Sequence, residues 1–304
     1  MESVTLYKFE AGWGLPSFSP ECVALEAYLR LSGIRFAEES VTSANSSPTG
    51  RLPALDIDGL AVGSWEDGEG SGDGEAASVS RVLDGLRKAG VDLDKGLSVE
   101  DACDLEAYLS LAENALAVAT QWALWCDDQS YAEGTRVFYS GIYPFPLSHI
   151  FPWRQRREAL AKMKALGVTS EEQVTELLHR AYKSLERKLR HKKYFFGRPT
   201  TLDAVAYAHL LLHRSSPVGA LLYKDVLGKY PALSKYVDGI SEAHFGPGAG
   251  LRDPADVEGV KIKRRKRKSK GRQEKEEFKG AGVWITTTVT VTALTLLGSV
   301  LSLS

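Results

Sequence analysis

The chain has 304 residues, of which 43% are hydrophobic and 25% are charged. This composition is ordinary for a globular protein and argues against a mainly disordered chain, and the length allows two modest domains. The formal net charge of -1 hides an asymmetry, because residues 261–280 hold eleven basic and three acidic residues. That segment carries +8, so the rest of the chain carries -9.

The cysteines give no sign of a disulfide framework. Cys22, Cys103 and Cys126 are odd in number and have neither CxxC nor zinc-type spacing. This pattern agrees with a body that faces the reducing cytosol. Glu2 stands where a signal peptide or presequence would carry basic residues, so we expect no cleavable targeting peptide.

The first part of the chain predicts the element order β-α-β-β-β, which is that of a thioredoxin-like domain. The strands are expected at residues 4–9, 34–41, 53–57 and 60–62. The helix begins after Ser19, a suitable N-cap, with Pro20 at the first helical position. In such a domain we expect the peptide bond before Pro53, at the entry to a strand, to be cis. We place this domain at residues 1–95.

Residues 64–75 are rich in glycine and acidic side chains, a composition that predicts disorder. Helical periodicity governs the chain from residue 98, and we expect an all-helical domain at residues 98–245. Within it Thr200 can cap a helix through its hydroxyl, while Asp203 returns a bond to the Thr200 amide. A linker and basic stalk are expected at residues 246–280.

Residues 281–304 carry no charge and predict a transmembrane helix. At roughly 1.5 Å per residue such a helix is about 36 Å long, enough to cross a hydrocarbon core of about 30 Å. The alternative, a buried amphipathic helix, would need a charged face. Because the predicted span ends at residue 304, we expect a single-pass tail anchor whose bulk faces the cytosol.

The basic run before this span predicts contact with anionic lipid headgroups on the cytosolic side. Its central membrane-proximal residues are Arg264, Arg265, Lys266, Arg267 and Lys268. A nuclear import signal or a nucleic-acid patch are the alternatives for such a run. Adjacency to a predicted span favours the membrane, so we expect no nucleic-acid partner.

Residues 143–154 combine three prolines with several aromatic residues and predict an extended loop. Prolines reduce the entropy lost on docking, and aromatic and arginine side chains often dominate binding energy. The candidate partner-binding residues of this loop are Tyr143, Phe145, Phe151, Trp153 and Arg154. The alternative is that the same aromatic side chains fill the core of the helical domain.

Residues that could support catalysis also have structural explanations. Ser19 lies where thioredoxins carry their CxxC nucleophile, and Tyr7 lies on the first strand, so either could activate a thiol. An N-cap serine followed by an inward-facing Cys22 explains the same pattern, and Ser19 in place of a thiol excludes disulfide exchange. His209 and His213 have the spacing of a metal pair but no evident third ligand.

The acidic residues Glu113, Asp127 and Asp128 suggest no acid/base pair, and the sequence contains no phosphate-binding loop. We therefore expect no catalytic residue, no cofactor and no metal site.

Several segments together resemble a known family. LPAL at the predicted cis-proline strand and PTTLD at the capped helix are similar to the glutathione transferase fold. A second set of segments resembles metaxins, which are outer mitochondrial membrane proteins of that fold, and the resemblance is to a plant-type or similar single metaxin. These segments are AGWGLPS, SPTGRLPAL, YPFPL followed by FPWRQRRE, and YFFGRPTTLDA. The resemblance spans about residues 4–240.

The resemblance implies an α+β, glutathione-transferase-like fold: a thioredoxin-like domain, an all-helical domain and a C-terminal transmembrane helix. The chain departs from the fold family at residues 66–75, where transferases bear the side chains that hold the γ-glutamyl end of glutathione. Its stalk is also unusually basic.

For function, the resemblance implies a non-catalytic subunit of the mitochondrial outer-membrane sorting and assembly machinery. Such a subunit would bind a β-barrel core subunit and other import subunits, contact lipid through its C-terminal helix, and assist insertion of β-barrel precursors. One alternative is a membrane-tethered glutathione transferase-like or peroxidase-like enzyme that uses Ser19 or Tyr7. Another is the same binding role at a plastid or other organelle surface.

Overall fold

The computed structural model describes residues 3–62 and 79–246. A four-stranded mixed sheet has the strand order β2-β1-β3-β4. Its strands are β1 (Val4–Phe9), β2 (Ala37–Val41), β3 (Ala54–Ile57) and β4 (Leu60–Val62). β1 is parallel to β2 and antiparallel to β3, and β3 is antiparallel to β4. The peptide bond between Leu52 and Pro53, just before β3, is cis.

Two helices accompany the sheet, α1 (Pro20–Leu31) and α2 (Val79–Lys88). Alternate residues of β1 are buried, and one of them, Lys8, reaches Glu26 of α1 at 2.6 Å. α2 lies close to β4 through Gly85, where an added Cβ would be 2.0 Å from a Val62 methyl group. These contacts set α1 and α2 against the sheet, as in a thioredoxin-like layer.

The rest of the described chain is helical. The helices are α3 (Val99–Leu111), α4 (Ala117–Gln121), α5 (Asp128–Ser130), α6 (Arg136–Ile142), α7 (Leu147–Ala165), α8 (Glu171–Leu189), α9 (Thr201–Ser215), α10 (Pro217–Leu227) and α11 (Pro231–Ile240). π-helical turns connect or extend some of them at Ala112–Leu116, Trp122–Cys126, Tyr131–Thr135 and Ser241–Phe245. α9 is buried along almost its whole length and packs against α1, α10 and α11. It therefore joins the sheet layer to the helical layer.

The prediction of an extended loop at residues 143–154 is wrong in its second half. Residues 147–154 form the first two turns of α7, which contains Pro152. A proline inside a helix costs a hydrogen bond and strains the preceding turn. Here Pro152 is buried and α7 packs against α6 and the segment Trp122–Cys126, so tertiary packing overrides the local preference.

Within residues 3–62 and 79–246, no helix is both long and apolar enough to cross a bilayer. The predicted transmembrane helix at residues 281–304 and the predicted disordered insertion at residues 64–75 lie outside the described residues. So do the five basic residues predicted to lie near the membrane, Arg264, Arg265, Lys266, Arg267 and Lys268.

Candidate docking surface

The start of α1 is the position at which thioredoxin-like proteins carry their reactive group. Ser19 is buried and accepts a hydrogen bond from the Cys22 amide at 3.4 Å, which makes it the N-cap of α1. Its hydroxyl donates to a Glu21 carboxylate oxygen at 2.7 Å. Burial raises the pKa of the Cys22 thiol to about 11. Ser19 therefore has a complete structural role, and Cys22 is not an activated thiol.

The space in front of α1 is filled by aromatic side chains from both layers. The Phe18 ring lies 4.7 Å from the Phe138 ring and 5.7 Å from the Tyr139 ring, between ring centres. Phe138 also packs against Trp13 at 5.0 Å and directly over Gly12. Burial raises the pKa of Tyr139 above its usual value, as does the nearby Glu21 carboxylate. We call Trp13, Phe18, Phe138 and Tyr139 the cleft cluster.

The cleft cluster lies between the loop before α1, which carries Trp13 and Phe18, and α6, which carries Phe138 and Tyr139. Tyr7, the other candidate for thiol activation, is half-buried on β1. Neither Phe138 nor Tyr139 was singled out from the sequence, because a helical aromatic pair has no signature that distinguishes a filled cleft from an ordinary core.

The two histidines one turn apart belong to a buried hydrogen-bond network. The Thr120 hydroxyl lies 2.8 Å from His209 Nδ1 and 2.9 Å from His213 Nε2. His213 Nδ1 lies 2.8 Å from the Tyr182 hydroxyl. Burial lowers the pKa of His209 to about 4, and it also lowers that of His213, with a contribution from His209. Both imidazoles are neutral at physiological pH, and three of their four ring nitrogens form hydrogen bonds with polar side chains.

Among the described residues, no group of three or more His, Cys, Asp or Glu side chains could hold a metal ion. The acidic residues considered from the sequence have other partners or lie in solvent. Asp127 caps α5 by accepting from the Ser130 amide at 2.8 Å, and Asp128 bonds to Arg156 at 2.5 Å. Glu113 is exposed.

Thr200 and Asp203 lie in the core at the start of α9. Asp203 Oδ2 accepts from the Thr200 amide at 2.9 Å and from its hydroxyl at 2.8 Å. Asp203 Oδ1 accepts from the Phe195 amide and the Tyr236 hydroxyl, each at 3.1 Å. Burial raises the pKa of Asp203 to about 6, although most of these bonds act to lower it. The pair ties α9 to α11 and to the loop before α9, so its role is structural.

The structure separates the five candidate partner-binding residues. Tyr143 is half-buried, and its hydroxyl donates to the Thr42 carbonyl oxygen at 2.7 Å. Its ring stacks on Tyr139 at 6.0 Å and contacts Phe151 at 5.1 Å, between ring centres. Tyr143 thus joins the helical layer to the loop after β2.

Phe145 and Trp153 face solvent instead, with 73% and 39% of their surface exposed. α7 buries Ser148, Pro152, Ala159 and Met163, and large apolar residues on its other sides remain partly exposed. The exposed apolar residues of the segment are Phe145, Leu147, Ile150, Phe151 and Trp153. We call these five the α7 aromatic surface. Leu147 and Ile150 were not predicted as partner-binding residues, because the segment was expected to be extended.

Arginines border this surface. The Arg157 guanidinium lies 5.0 Å from the centre of the Trp153 ring, and Arg154 pairs with Glu158 at 3.1 Å. Cations over aromatic faces and exposed aromatic rings are typical of protein interfaces. A contiguous exposed apolar surface with a charged border is one mark of a docking site.

Two family profiles match the chain. A family profile described as "Outer mitochondrial membrane transport complex protein" matches residues 22–156. The profile of the glutathione S-transferase C-terminal domain matches residues 178–240. Together the two matches reach from α1 to the end of α11.

Among curated proteins, the chain is similar to metaxin-1 of Mus musculus, with 31% identity over 71% of this chain and 68% of that protein. It is also 31% identical to metaxin-1 of Bos taurus, over 68% of this chain and 64% of that protein. The chain thus spans about two thirds of the length of these relatives. Among solved structures, glutathione S-transferase-I bound with lactoylglutathione has a TM-score of 0.49 and 16% identity, covering 82% of this chain and 100% of that one.

Proposed function

The chain belongs to the metaxin family, and from this premise we propose that it is a non-catalytic subunit of an outer mitochondrial membrane transport complex. In this role the folded body binds other subunits and positions them, and it turns over no substrate. The finer proposal is that the complex is the sorting and assembly machinery, with a β-barrel core subunit as the main partner. The subunit would then help to insert β-barrel precursors.

One observation carries the proposal: the α7 aromatic surface is exposed while the cleft in front of α1 is filled. A body with a well-packed core places apolar side chains in solvent at a cost unless a partner covers them. Ile150 and Trp153 are exposed on a helix whose other side is anchored in the core, and Phe145 is exposed just before its first residue. A rigid, exposed helix face of this kind suits docking onto another protein.

The enzyme alternative has less support from the geometry. Ser19 is buried, and its hydroxyl is held by Glu21 at 2.7 Å. Phe18, next to Ser19 in the chain, packs against Phe138 and Tyr139 of α6.

Isolation of the complex tests the proposal. The tagged full chain, solubilised from cells in a mild detergent, should migrate on a native gel in a complex that contains a β-barrel membrane protein. Migration as a free monomer would contradict a subunit role. Recovery from a plastid or another membrane, with mitochondria lacking the protein, would contradict the proposed location.

Glutathione chemistry separates the alternative function. The purified full chain should neither be retained on glutathione resin nor conjugate glutathione to an electrophile above the rate of buffer alone. Retention or turnover that disappears in Ser19→Ala would favour the enzyme and would contradict the non-catalytic role.

A further inference from the structure

A second exposed surface, on α8 and the loop after it, carries charge of one sign. α8 buries Val174, Leu178, Ala181, Tyr182, Leu185 and Leu189 on one side. Because an α-helix turns every 3.6 residues, Lys183, Arg187 and Arg190 share the opposite side. Lys192 and Lys193 follow directly in the loop, and all five basic residues are exposed. We call these five the basic stripe.

The charge of the basic stripe is not compensated within the described residues, where none of the five forms an ion pair. Neighbouring charges point elsewhere: Lys188 pairs with Asp104 at 2.6 Å, and Glu186 accepts from the Ala232 amide at 3.3 Å. No acidic residue occurs in residues 187–202. The stripe is therefore a local excess of positive charge on a body that is otherwise negative.

The basic stripe ends beside the last described residues of the chain. Tyr194, which follows Lys193, has its hydroxyl 3.1 Å from His244 Nε2. Burial lowers the pKa of His244, and the charge of Lys193 is the next largest cause. Arg30 donates to the His244 carbonyl oxygen at 3.2 Å and lies 4.8 Å from the centre of the Phe245 ring. These contacts place the last described residues of the chain beside the end of the stripe.

The sequence beyond this point suggests what the stripe faces. The chain continues into the basic residues 261–272 and the uncharged residues 281–304, predicted to enter a bilayer. We propose that the basic stripe binds the anionic headgroups of a lipid bilayer, so that this face of the body rests on the membrane. This goes beyond the proposed function, because it assigns a lipid contact to the folded body itself.

The net negative charge of the rest of the chain does not prevent this contact. Charges separated by more than about 8 Å are largely screened at physiological ionic strength. A bilayer therefore responds to the residues nearest to it, and each basic residue near an anionic surface favours binding. The matching family profile, which describes an outer mitochondrial membrane protein, also favours a lipid surface over a nucleic acid.

Lysine footprinting on the full chain tests the proposal without any substitution. The protein is mixed with phosphatidylcholine vesicles, with or without phosphatidylserine, recovered by flotation and treated briefly with an acetylating reagent. We expect Lys183, Lys192 and Lys193 to react at least about threefold more slowly on the phosphatidylserine vesicles, with the difference lost in high salt. Lys162 and Lys164, exposed on α7, serve as internal controls. Equal protection of both groups, or none, would overturn the proposal.

Two charge-matched variants test which residues are responsible. One carries Arg187→Glu, Arg190→Glu, Lys192→Glu and Lys193→Glu, and the other carries Arg35→Glu, Lys88→Glu, Lys95→Glu and Lys162→Glu. Both change the net charge equally at exposed positions, so only the first should lose protection of Lys183 on phosphatidylserine vesicles. Equal loss in both would indicate a general charge effect and contradict a specific surface. Protection of the stripe by RNA or polyglutamate, but not by vesicles, would also contradict the lipid assignment.

Discussion

Phe138 lies over Gly12 so closely that a methyl group added at position 12 would be 2.6 Å from two atoms of the Phe138 ring. The first residue belongs to α6 and the second to the loop after β1, so this contact joins the helical layer to the sheet layer. The absence of a side chain at position 12 is what allows the cleft to be filled.

Gly12→Ala should lower the free energy of unfolding by about 1–3 kcal/mol, because the Phe138 ring must move. Chemical denaturation followed by circular dichroism measures the change. Gly141→Ala is the control, since nothing lies within 4 Å of a Cβ at that position of α6. It should leave stability unchanged or raise it by up to about 1 kcal/mol. Equal effects of the two substitutions would mean that the cleft is not closed at Gly12.

Thiol labelling should distinguish the three cysteines in the native chain. Cys103 is exposed, whereas burial raises the pKa of Cys22 to about 11 and that of Cys126 to about 12. Iodoacetamide should therefore modify Cys103 first, and mass spectrometry of peptides would follow each site. All three should react in denaturant. Rapid labelling of native Cys22 would show that the start of α1 is open and reactive.

The buried histidines should make the protein sensitive to acid. The folded pKa of His209 is lowered to about 4 from 6.5, so the neutral form is favoured in the folded state. This contribution to stability is fully present above about pH 6.5 and is lost as the pH falls through about 4. His209→Asn keeps a polar group near the Thr120 hydroxyl but cannot titrate. It should reduce the stability lost between about pH 7 and about pH 4.5 by roughly 2 kcal/mol.

Denaturation at a series of pH values measures how the free energy of unfolding depends on pH. His191→Asn is the control, because His191 is exposed. If both variants show the same pH dependence of stability as the unsubstituted chain, buried His209 is not a source of the acid sensitivity.

The two helix-capping arrangements should differ in strength because one is buried. Asp203→Ala leaves the buried Phe195 and Thr200 amides without their carboxylate acceptor and should cost about 3 kcal/mol, while the Tyr236 hydroxyl keeps the backbone carbonyl oxygen of residue 203 as an acceptor. Gln173 makes a similar box with Ser170 at the exposed start of α8, where Gln173→Ala should cost about 1 kcal/mol or less. Thermal or chemical denaturation would measure both, and a larger loss for Gln173→Ala would contradict this assignment.

Local patterns in the sequence predicted much of the fold, because its caps and alternations are strong. β1 is found at the predicted residues, and α1 begins after the predicted Ser19 cap. The segment Leu147–Ala165 shows the limit of such reasoning. Its prolines favour extended backbone locally, and only the burial of Pro152 against distant residues makes the helix preferable.

The candidate site was predictable only in part. Phe145 and Trp153 were identified from the sequence, but their separation from Tyr143 depends on which face of α7 meets the core. The closing of the cleft by Phe138 over Gly12 depends on a contact between distant positions, which no local pattern encodes. The close approach of α10 to α9 also depends on a contact that local patterns do not encode. A Cβ at Gly219 would be 2.3 Å from the Leu212 carbonyl oxygen.

Docking through the α7 aromatic surface is tested most directly by replacing exposed apolar residues on two different surfaces. One full-length variant carries Phe145→Ser and Trp153→Ser on the α7 aromatic surface. The control carries Leu60→Ser and Val99→Ser, whose wild-type residues are 71% and 82% exposed elsewhere. Both variants should unfold like the unsubstituted chain, and each is purified from mitochondria in mild detergent to quantify the co-purifying membrane partner. The first variant should lose at least about tenfold of the partner, while the control retains it. Equal recovery of the partner by both variants would contradict docking through the α7 aromatic surface.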